Sequence, residues 1–350
     1  MASVQDGTGQ KGMQIEVASF RMAPGTIVTA RSHLIDRMVP ACEVISLPEK
    51  TVPGGTIPFA RVERLPFATT SPRLRDRLRG RVKGEPVPLE GTLGFDCRFG
   101  SPENWAHFLN IHAPLTFALT NRLGIAPHEL TLILPQTIPG FVLRAAAHLG
   151  LRTQVTDAEV IGPGVVVTLA TNIIRPDRRR WLMDSGVIGR LAPSEAGDFP
   201  ANVLLARRKT RALSNQPEIE ATLASRGFRT IYPEDLSVPE QFALFNGAET
   251  IVAVHGAGLA PLLYRQPQAR LRRLVELLPC GHMTDVYRGM SQQVGCAWIG
   301  VRGRIKPEYI RPAYALDTPF TRYSLDNFEV DPASLDLALD MIADAPLPSA

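Results

Sequence analysis

The sequence predicts an α/β fold whose best-defined part, residues 201–303, is a doubly wound parallel sheet. Two observations carry this prediction. Apolar runs of strand length alternate there with stretches of helical length, and two proline-containing motifs mark the starts of helices. This alternation is typical of parallel strands joined by helices, so we expect a Rossmann-like domain.

Five apolar runs are the predicted strands of this sheet, and four stretches between them are the predicted helices. The strands are 202–206, 229–232, 250–254, 274–278 and 297–301, and the helices are 217–226, 239–248, 258–265 and 284–293. Asn215 stands three residues before Glu218, and Ser237 stands three residues before Glu240, with a proline inside each motif. Both motifs have the capping-box pattern, so each predicts a helix N-terminus.

The chain before residue 196 has a less regular pattern. Residues 93–99, 131–134 and 165–170 are predicted strands, and residues 105–122 and 141–149 are predicted helices. Pro and Gly turns dominate the segments before residue 91. We therefore expect a second, more irregular α/β domain.

Three domains follow from these patterns. They are an N-terminal α/β domain over 1–195, a Rossmann-like domain over 196–316, and an acidic tail with a helix over 317–350. The small, turn-rich residues 186–200 are the best linker candidate. Residues 332–345 place their apolar side chains on one helical face, which predicts a C-terminal helix that packs back on the body.

The composition is that of a globular protein. Of 350 residues, 45% are apolar, 21% are charged, and Pro plus Gly make up 58, or 17%, which is below the level of disordered chains. The four cysteines form no C-x-x-C pair, which argues against a disulfide framework or a Cys-based zinc site and fits a reducing compartment. No apolar run is long enough to cross a bilayer, and the first residues are polar, so we expect a cytoplasmic protein.

The formal net charge of +4 hides an uneven distribution. Residues 1–196 sum to +5, residues 197–316 to +5 and residues 317–350 to −6. Two basic lobes suit an anionic ligand, and the acidic tail is expected to lie against one of them. The basic runs 73–83 and 178–180 lack interleaved aromatics, so we expect solvated faces and no nucleic-acid partner; contact with anionic lipid stays open.

The sharpest local feature is a strand that runs directly into His255, Gly256, Ala257 and Gly258. Small residues at a strand-to-helix turn let a ligand approach the backbone, and the N–H groups of the helix start attract phosphate. Ligands bind at this edge of doubly wound sheets. Two structural alternatives stay open, in which the glycines only allow close packing and His255 is an ordinary core histidine.

Arg207, Arg208 and Glu276 join this loop at the same predicted edge. Arg207 and Arg208 follow the predicted strand 202–206, so either guanidinium could reach an anion held at Gly256–Gly258. The structural alternative is that both belong to a solvated basic turn. Glu276 lies within an apolar strand, where an unpaired carboxylate is costly to bury. A ribose hydroxyl or an arginine, Arg272 or Arg273, would satisfy it. Together these residues predict a nucleotide-diphosphate site.

In the first domain, Asn104 and His107 share one face at the start of a predicted helix. His112 falls five residues after His107 and off that face, which argues against a two-histidine metal pair. The sequence has no H-E-x-x-H pattern and no D-x-D suited to a divalent metal, so no metal site is predicted.

The second half of the chain resembles glycosyltransferase family 61. The resemblance is carried by Arg207-Arg208, Arg211, Asn215, Glu218, Gly227-Phe228, Pro233-Glu234, Leu236-Ser237, Glu240-Gln241, Leu244-Phe245, Ala248, Val252, His255-Gly256-Ala257-Gly258-Leu259 and Val275-Glu276-Leu277. It covers roughly residues 203–279 and, more loosely, the Asn-x-x-His element within residues 104–110. The family includes xylosyltransferases and N-acetylglucosaminyltransferases, and the chain is similar to a bacterial-type member.

This resemblance implies a GT-B fold, in which two Rossmann-like domains face a cleft, and a metal-independent, inverting transfer. It implies that Arg207 or Arg208 binds the donor diphosphate, that His255–Gly258 line its loop and that Glu276 lies by the nucleoside. Asn215, Glu218 and Glu240 match the family pattern but are explained as helix caps. Relatives carry an acidic residue shortly after the Asn-x-x-His histidine, where Asn110 and Ile111 stand here.

An inverting transferase needs a base that deprotonates the acceptor hydroxyl. His107 is the candidate, with Asp96 and Glu103 as nearby alternatives. The resemblance thus implies a glycosyltransferase that uses a nucleotide sugar, needs no cofactor, and acts on a glycan, lipid-linked or other hydroxyl acceptor. The composition and the basic lobes predict a cytoplasmic location that allows peripheral contact with the inner membrane face. The alternatives are a sugar-nucleotide epimerase of the same fold and a non-catalytic protein that docks on membrane through residues 73–83.

Overall fold

A computed structural model describes residues 26–28, 85–91, 93–158, 160–161, 165–167, 178–192, 197–280, 282, 284, 286–304 and 323–346. The basic run 73–83 lies outside the described residues. Two compact units emerge: of the described residues, 85–167 belong to the first, and 26–28 together with 178–346 belong to the second.

The described residues form short strands and helices in both units. Strands β1 to β12 are Thr26–Val28, Val87–Pro88, Leu93–Asp96, Leu130–Leu134, Arg152–Val155, Val160–Ile161, Val165–Val167, Asn202–Leu205, Arg229–Ile231, Thr250–Val254, Arg273–Leu278 and Ala297–Arg302. Helices α1 to α9 are Trp105–His107, Ala113–Leu123, Gly140–His148, Arg178–Ser185, Val187–Leu191, Gln216–Ala224, Val238–Gly247, Val286–Gln293 and Pro332–Ala343. A π-helix, Phe108–His112, joins α1 to α2, and the 3-10 helices are Arg98–Gly100, Pro127–Glu129, Pro233–Asp235 and Ala257–Tyr264.

The second unit is built on a six-stranded sheet with the order β1-β12-β11-β10-β8-β9. Every neighbouring pair is parallel. All five predicted strands of this region are confirmed to within one residue at each end. The inner strands β8, β10, β11 and β12 are largely buried and therefore read as apolar runs, whereas the edge strand β9 is partly exposed. The edge strand β1 was not predicted, since its partner β12 is more than 250 positions away in the sequence.

Alternate residues of these strands face opposite sides of the sheet. Val252, Val254, Val275 and Leu277 point to one side, where they join a buried cluster with α6 and α9. The residues between them, Ala253 and Glu276 among others, point to the other side. There the 3-10 helix Ala257–Tyr264 contacts α4, α7 and α8, and α8 contacts β12.

The predicted C-terminal helix is α9, and it packs on the second unit as expected. Leu335, Ala338, Leu339 and Ile342 are buried in the cluster on the sheet. Arg226 bonds Asp336 and Asp340 at 2.9 and 2.7 Å, so acidic residues of the tail lie against basic ones of this unit.

Both predicted helix starts are confirmed, but only one of the two predicted capping boxes forms. Ser237 caps α7: its side chain accepts from the Glu240 N–H, and Glu240 accepts from the Ser237 N–H at 2.7 Å. Asn215 precedes α6 but its side chain makes no cap bond. Instead it pairs with both backbone groups of Val330, at 2.7 and 3.1 Å, and so ties the segment before α9 to the start of α6.

The first unit contains a four-stranded parallel sheet, β5-β4-β3-β7, and a two-stranded pair, β2-β6. Both predicted helices and the strand at 131–134 are found, and β3 is shorter than predicted. The structure describes residues 165–167 of the predicted strand 165–170, and they form β7, whereas β2, β5 and β6 were not predicted. Both units are therefore α/β with parallel sheets, as the sequence predicts. In the described parts of the chain, no helix is long and apolar enough to cross a membrane.

The linker predicted at residues 186–200 is wrong over its first half. Val187–Leu191 is helix α5, and its Val187, Ile188 and Leu191 are buried. The glycines Gly186 and Gly189 suggested a turn, although Val187, Ile188 and Leu191 form the short apolar face of a helix. Helices α4 and α5 belong to the second unit, whereas the sequence-based division assigns them to the first domain; that three-domain division stays a prediction.

Candidate functional site

The loop His255–Gly258 lies at the carboxyl end of β10, the central strand between β8 and β11. The His255 N–H donates to the Leu277 carbonyl at 2.9 Å, which fastens the loop to β11. The chain then continues as the 3-10 helix Ala257–Tyr264, which contains Pro261. The first N–H groups of a helix have no partner within it, so this start can bind an anion.

Arg207 is the arginine that lies on this loop. Its Nη1 is 3.3 Å from the His255 carbonyl oxygen, and its Nη2 is 3.2 Å from Thr210 Oγ1. A side chain at Gly256 would overlap the Arg207 guanidinium, which explains why a residue without Cβ stands there. Burial lowers the pKa of Arg207 from its ordinary value.

Arg208 points elsewhere. Its guanidinium bonds Asp235 at 2.6 Å and stacks on the Tyr232 ring, with the Cζ atom 3.8 Å from the ring centroid. The side chain is exposed on the outer side of the basic turn. Of the two arginines that the sequence left open, the geometry therefore brings Arg207 to the loop.

Arg211 is a functional candidate that sequence reasoning left out of the site. Burial and the positive charge of Arg207 lower its pKa to about 10. Its backbone adopts a positive φ of 60°, and its Nε donates to the Ser324 carbonyl. Two half-buried guanidiniums that repel each other in one basic turn favour an anion nearby. The sequence feature that could have identified Arg211 is its position four residues after Arg207 in the same basic turn.

Glu276 is fully buried, with 0% of its surface exposed, and bonds two neighbours. Its Oε1 is 2.5 Å from His255 Nδ1, and its Oε2 accepts from Trp298 Nε1 at 2.8 Å. The predicted arginine partners are wrong: Arg272 donates to the Ala269 carbonyl and Arg273 to that of Ile342. Residues of a neighbouring strand and of the loop satisfy the carboxylate instead.

The strand register brings these three side chains together. Ala253 of β10 pairs with Glu276, so His255 lies two residues beyond it on the same face. Gly300 of β12 pairs with Glu276 from the other side, so Trp298 lies two residues before it, again on that face. Side chains two positions apart on a strand share a face, which explains the contact.

His282 and Tyr287 complete the surroundings of His255. Their ring centroids lie 5.2 and 5.6 Å from that of His255. Burial, with the nearby His255 and Arg211, lowers the pKa of His282 to about 3. Burial and then the charge of Glu276 raise the pKa of Tyr287, so both rings are neutral at neutral pH.

In the first unit, His107 and His112 converge on one carbonyl. His107 Nδ1 lies 3.3 Å and His112 Nε2 lies 2.9 Å from the Gly100 oxygen. The prediction that His112 is off the face of His107 is wrong, because it assumes 3.6 residues per turn. The π-helix Phe108–His112 has i to i+5 bonds, which bring residues five positions apart onto one side.

The carbonyl also fixes how both rings are protonated. A carbonyl oxygen only accepts, so His107 carries its proton on Nδ1 and His112 on Nε2. His107 Nε2 is then the basic nitrogen. Asn104 caps the helix by accepting from the backbone N–H groups of Ala106 and His107 at 2.9 and 3.4 Å, which explains the asparagine of the Asn-x-x-His element.

The two alternative bases have different surroundings. Asp96 is buried and holds the Arg98 guanidinium through both carboxylate oxygens, at 2.9 and 2.7 Å. Glu103 is exposed. Because Asp96 is occupied by an ion pair, its oxygens are poorly placed to take a proton from an acceptor. Within the described residues, no three His, Cys, Asp or Glu side chains are grouped as a metal site requires.

Comparison with known proteins gives two findings. A family model described as Glycosyltransferase 61 matches residues 32–271. The chain is also 33% identical over 117 residues to the beta-1,2-xylosyltransferase XAX1 of Oryza sativa subsp. japonica. That segment is 32% of this chain and 20% of the relative, so the match spans about one fifth of the relative's length.

Proposed function

The chain belongs to glycosyltransferase family 61, and from that premise we propose that it transfers a sugar from a nucleotide-activated donor to an acceptor hydroxyl. The proposal includes a GT-B arrangement of the two α/β units and inversion at the sugar carbon. The loop His255–Gly258 with Arg207 and Arg211 is the proposed site of the donor diphosphate.

The observation that carries the proposal is the position of Arg207 against this loop. Its guanidinium meets the His255 carbonyl at 3.3 Å, beside a helix start, at the carboxyl edge of a parallel sheet. Arg211 adds a second half-buried positive charge. Two guanidiniums and backbone N–H groups can neutralise a leaving diphosphate, which supports a reaction that needs no metal.

The chemistry requires a base for the acceptor hydroxyl, and His107 is our candidate. The Gly100 carbonyl holds its Nδ1 proton, so Nε2 can accept the hydroxyl proton as the new glycosidic bond forms. The bond between the sugar carbon and the diphosphate oxygen breaks, and its electron pair leaves with the nucleoside diphosphate.

The relative's name favours a pentosyl donor. It describes a beta-1,2-xylosyltransferase, and we propose a xylose-type sugar as the first donor to test. The proposed acceptor is a glycan, lipid-linked or other hydroxyl compound in polysaccharide or glycoconjugate assembly, and the proposed location is the cytoplasm or the inner membrane face.

The test compares three single substitutions in one basic turn. Calorimetric titration with a panel of nucleoside diphosphates should show binding by the wild type and a loss of at least about tenfold for R207A, since a charged hydrogen bond contributes about 1.5–3 kcal/mol. K209A removes the same charge from an exposed neighbour and should keep the wild-type affinity. A larger loss for R208A than for R207A would move the phosphate site to Arg208.

A transfer assay then tests the reaction itself. Radiolabelled donors are incubated with hydroxyl acceptors, with and without a metal chelator. Transfer that survives the chelator is expected. Conversion of the donor without an acceptor would support the epimerase alternative, and binding to anionic vesicles without any donor binding would support the non-catalytic one.

A further inference from the structure

We propose that residues 324–328 of the C-terminal tail are part of the donor site: their main chain holds Arg211 beside Arg207, so that both guanidiniums contact one diphosphate. The proposal rests on the proposed function for the identity of the anion. It assigns a positioning role to a segment outside residues 32–271, which the family model matches. We call residues 324–328 the docked segment.

The docked segment lies alongside the basic turn through hydrogen bonds to its main chain. The Arg211 N–H donates to the Leu325 carbonyl at 3.1 Å. The Ala212 N–H donates to Asn327 Oδ1 at 3.0 Å, and the Ala212 carbonyl accepts from the Phe328 N–H at 3.1 Å. Phe328 is 1% exposed and belongs to the buried cluster on the sheet. The segment is therefore bonded to two consecutive residues of the turn and anchored in the core.

The Arg211 side chain is held by the same segment. Its Nε donates to the Ser324 carbonyl, which fixes one edge of the guanidinium. Within the described residues, no carboxylate pairs with Arg211, and its Nη groups donate to no protein acceptor. The side chain is half-buried. A guanidinium that is fixed at Nε and has both Nη groups left over suits bidentate binding of a phosphate.

The position of Arg211 is unfavourable without such an anion. Its φ of 60° lies in the left-handed region, which residues other than glycine adopt at a cost in free energy. Burial and the positive charge of Arg207 both lower its pKa, because they destabilise the charged guanidinium. Backbone strain of this kind clusters at ligand sites, where it holds a side chain ready for its ligand. An anion shared with Arg207 would offset the repulsion between the two charges.

The surroundings of Arg211 are those of the loop His255–Gly258. After burial and the nearby His255, the charge of Arg211 lowers the pKa of His282. The His282 ring lies 5.2 Å from that of His255, between centroids. Arg207 Nη1 is 3.3 Å from the His255 carbonyl oxygen. Both arginines therefore belong to the surroundings of His255, where one diphosphate can contact the two guanidiniums.

The shared use of Arg211 couples the docked segment to the anion. If binding needs Arg211 in the position that the segment fixes, docking strengthens binding, and binding must stabilise docking by the same factor. We therefore expect the docked segment to open less often when the diphosphate is bound.

Hydrogen exchange measures this coupling at the Phe328 amide, which bonds the Ala212 carbonyl. The full chain is compared with and without inorganic pyrophosphate. At saturation the Phe328 amide of the wild type should exchange about tenfold more slowly. In R211A, brought to the same occupancy, the amide should slow by a clearly smaller factor. Unchanged exchange in the wild type, or equal slowing in R211A, would overturn the proposal.

A double-mutant cycle separates positioning from general loosening. Calorimetry with pyrophosphate should show about two- to tenfold weaker binding for N327A, which frees the Ala212 N–H. In an R211A background, N327A should have no further effect on affinity. N215A is the matched control, since it releases the same chain at Val330. It should lower stability more than N327A and affinity less.

Equal weakening by N327A in both backgrounds, or as large a loss of affinity in N215A, would overturn the positioning role. Binding that is lost in R207A but unchanged in N327A would count against the docked segment alone. A wild type that binds neither pyrophosphate nor any nucleoside diphosphate would overturn the donor site together with this proposal. Binding with the expected cycle but without sugar transfer would count against the proposed function alone.

Discussion

A single glycine lets Arg207 approach the loop His255–Gly258. A Cβ atom at Gly256 would occupy the space of the Arg207 guanidinium, whereas one at Gly258 would meet Pro233 at 3.1 Å and Leu205 at 3.8 Å. Gly256 also has a φ of 157°, so both this contact and the backbone conformation explain the glycine. From the sequence alone, two explanations of the glycines were equally favoured: that they let a ligand approach the backbone, or that they only allow close packing of strand and helix.

This contact predicts the result of Gly256→Ala. The substitution should lower stability by about 1–3 kcal/mol through overpacking and should weaken nucleoside diphosphate binding by displacing Arg207. In an R207A background the same substitution should cost clearly less stability, because the overlapping group is gone. Urea unfolding of the wild type, both single variants and the double variant measures this, and equal costs in both backgrounds would contradict it.

The buried His112 predicts a pH dependence of stability. Burial lowers its pKa from 6.5 to about 4, so the unfolded chain binds the proton more tightly than the folded one. The stability gained by burying the neutral ring is complete above pH 6.5. As the pH falls toward 4, protonation of His112 in the unfolded chain lowers the free energy of unfolding by about 3 kcal/mol. H112Q keeps a donor for the Gly100 carbonyl and should flatten the loss, as measured by urea unfolding between pH 4 and 7. An unchanged slope would contradict the assignment.

At the scale of elements, the sequence predicted the regular parts and missed the irregular ones. The strands of the second unit are apolar runs, and Glu276 was recognised as a carboxylate within one of them. Its partners stayed hidden, because His255 and Trp298 meet it only through the register of three strands. The π-helix stayed hidden because one extra residue per turn has no recognisable sequence pattern.

The two predicted helix starts differ in strength. Asn215 satisfies both backbone groups of the buried Val330, whereas Ser237 satisfies one N–H at the exposed start of α7. N215A should therefore cost about 2–3 kcal/mol of unfolding free energy, and S237A about 1 kcal/mol. Thermal and urea unfolding compare the two, and an equal or smaller loss in N215A would show that the tie to Val330 adds nothing.

At the scale of the whole molecule, the small net charge is the sum of a basic body and an acidic tail, and the described part of the tail lies against the second unit. Arg226 pairs with Asp336 and Asp340, and Arg304 pairs with Glu329 and Asp331. These pairs are largely exposed, so each contributes little. The apolar face of α9 carries most of the binding of the tail.

Two substitutions distinguish the apolar contribution of α9 from that of the ion pairs. L335A removes a fully buried side chain and should lower the unfolding free energy by about 2–5 kcal/mol at any salt concentration. R226A should cost less than about 1 kcal/mol, and high salt should abolish even that difference. Urea unfolding at low and high salt distinguishes the two; a dominant, salt-sensitive effect of R226A would mean that charge docks the tail.

The order of strands also limits where the chain can be truncated. Residues 32–271 contain β8, β9 and β10 but exclude β11, β12, β1 and α9. A fragment trimmed to those limits would expose the backbone of β10 along a bare apolar edge, which is a template for self-association. We therefore expect a soluble fragment to need the chain through Ala343, which keeps β11, β12 and α9.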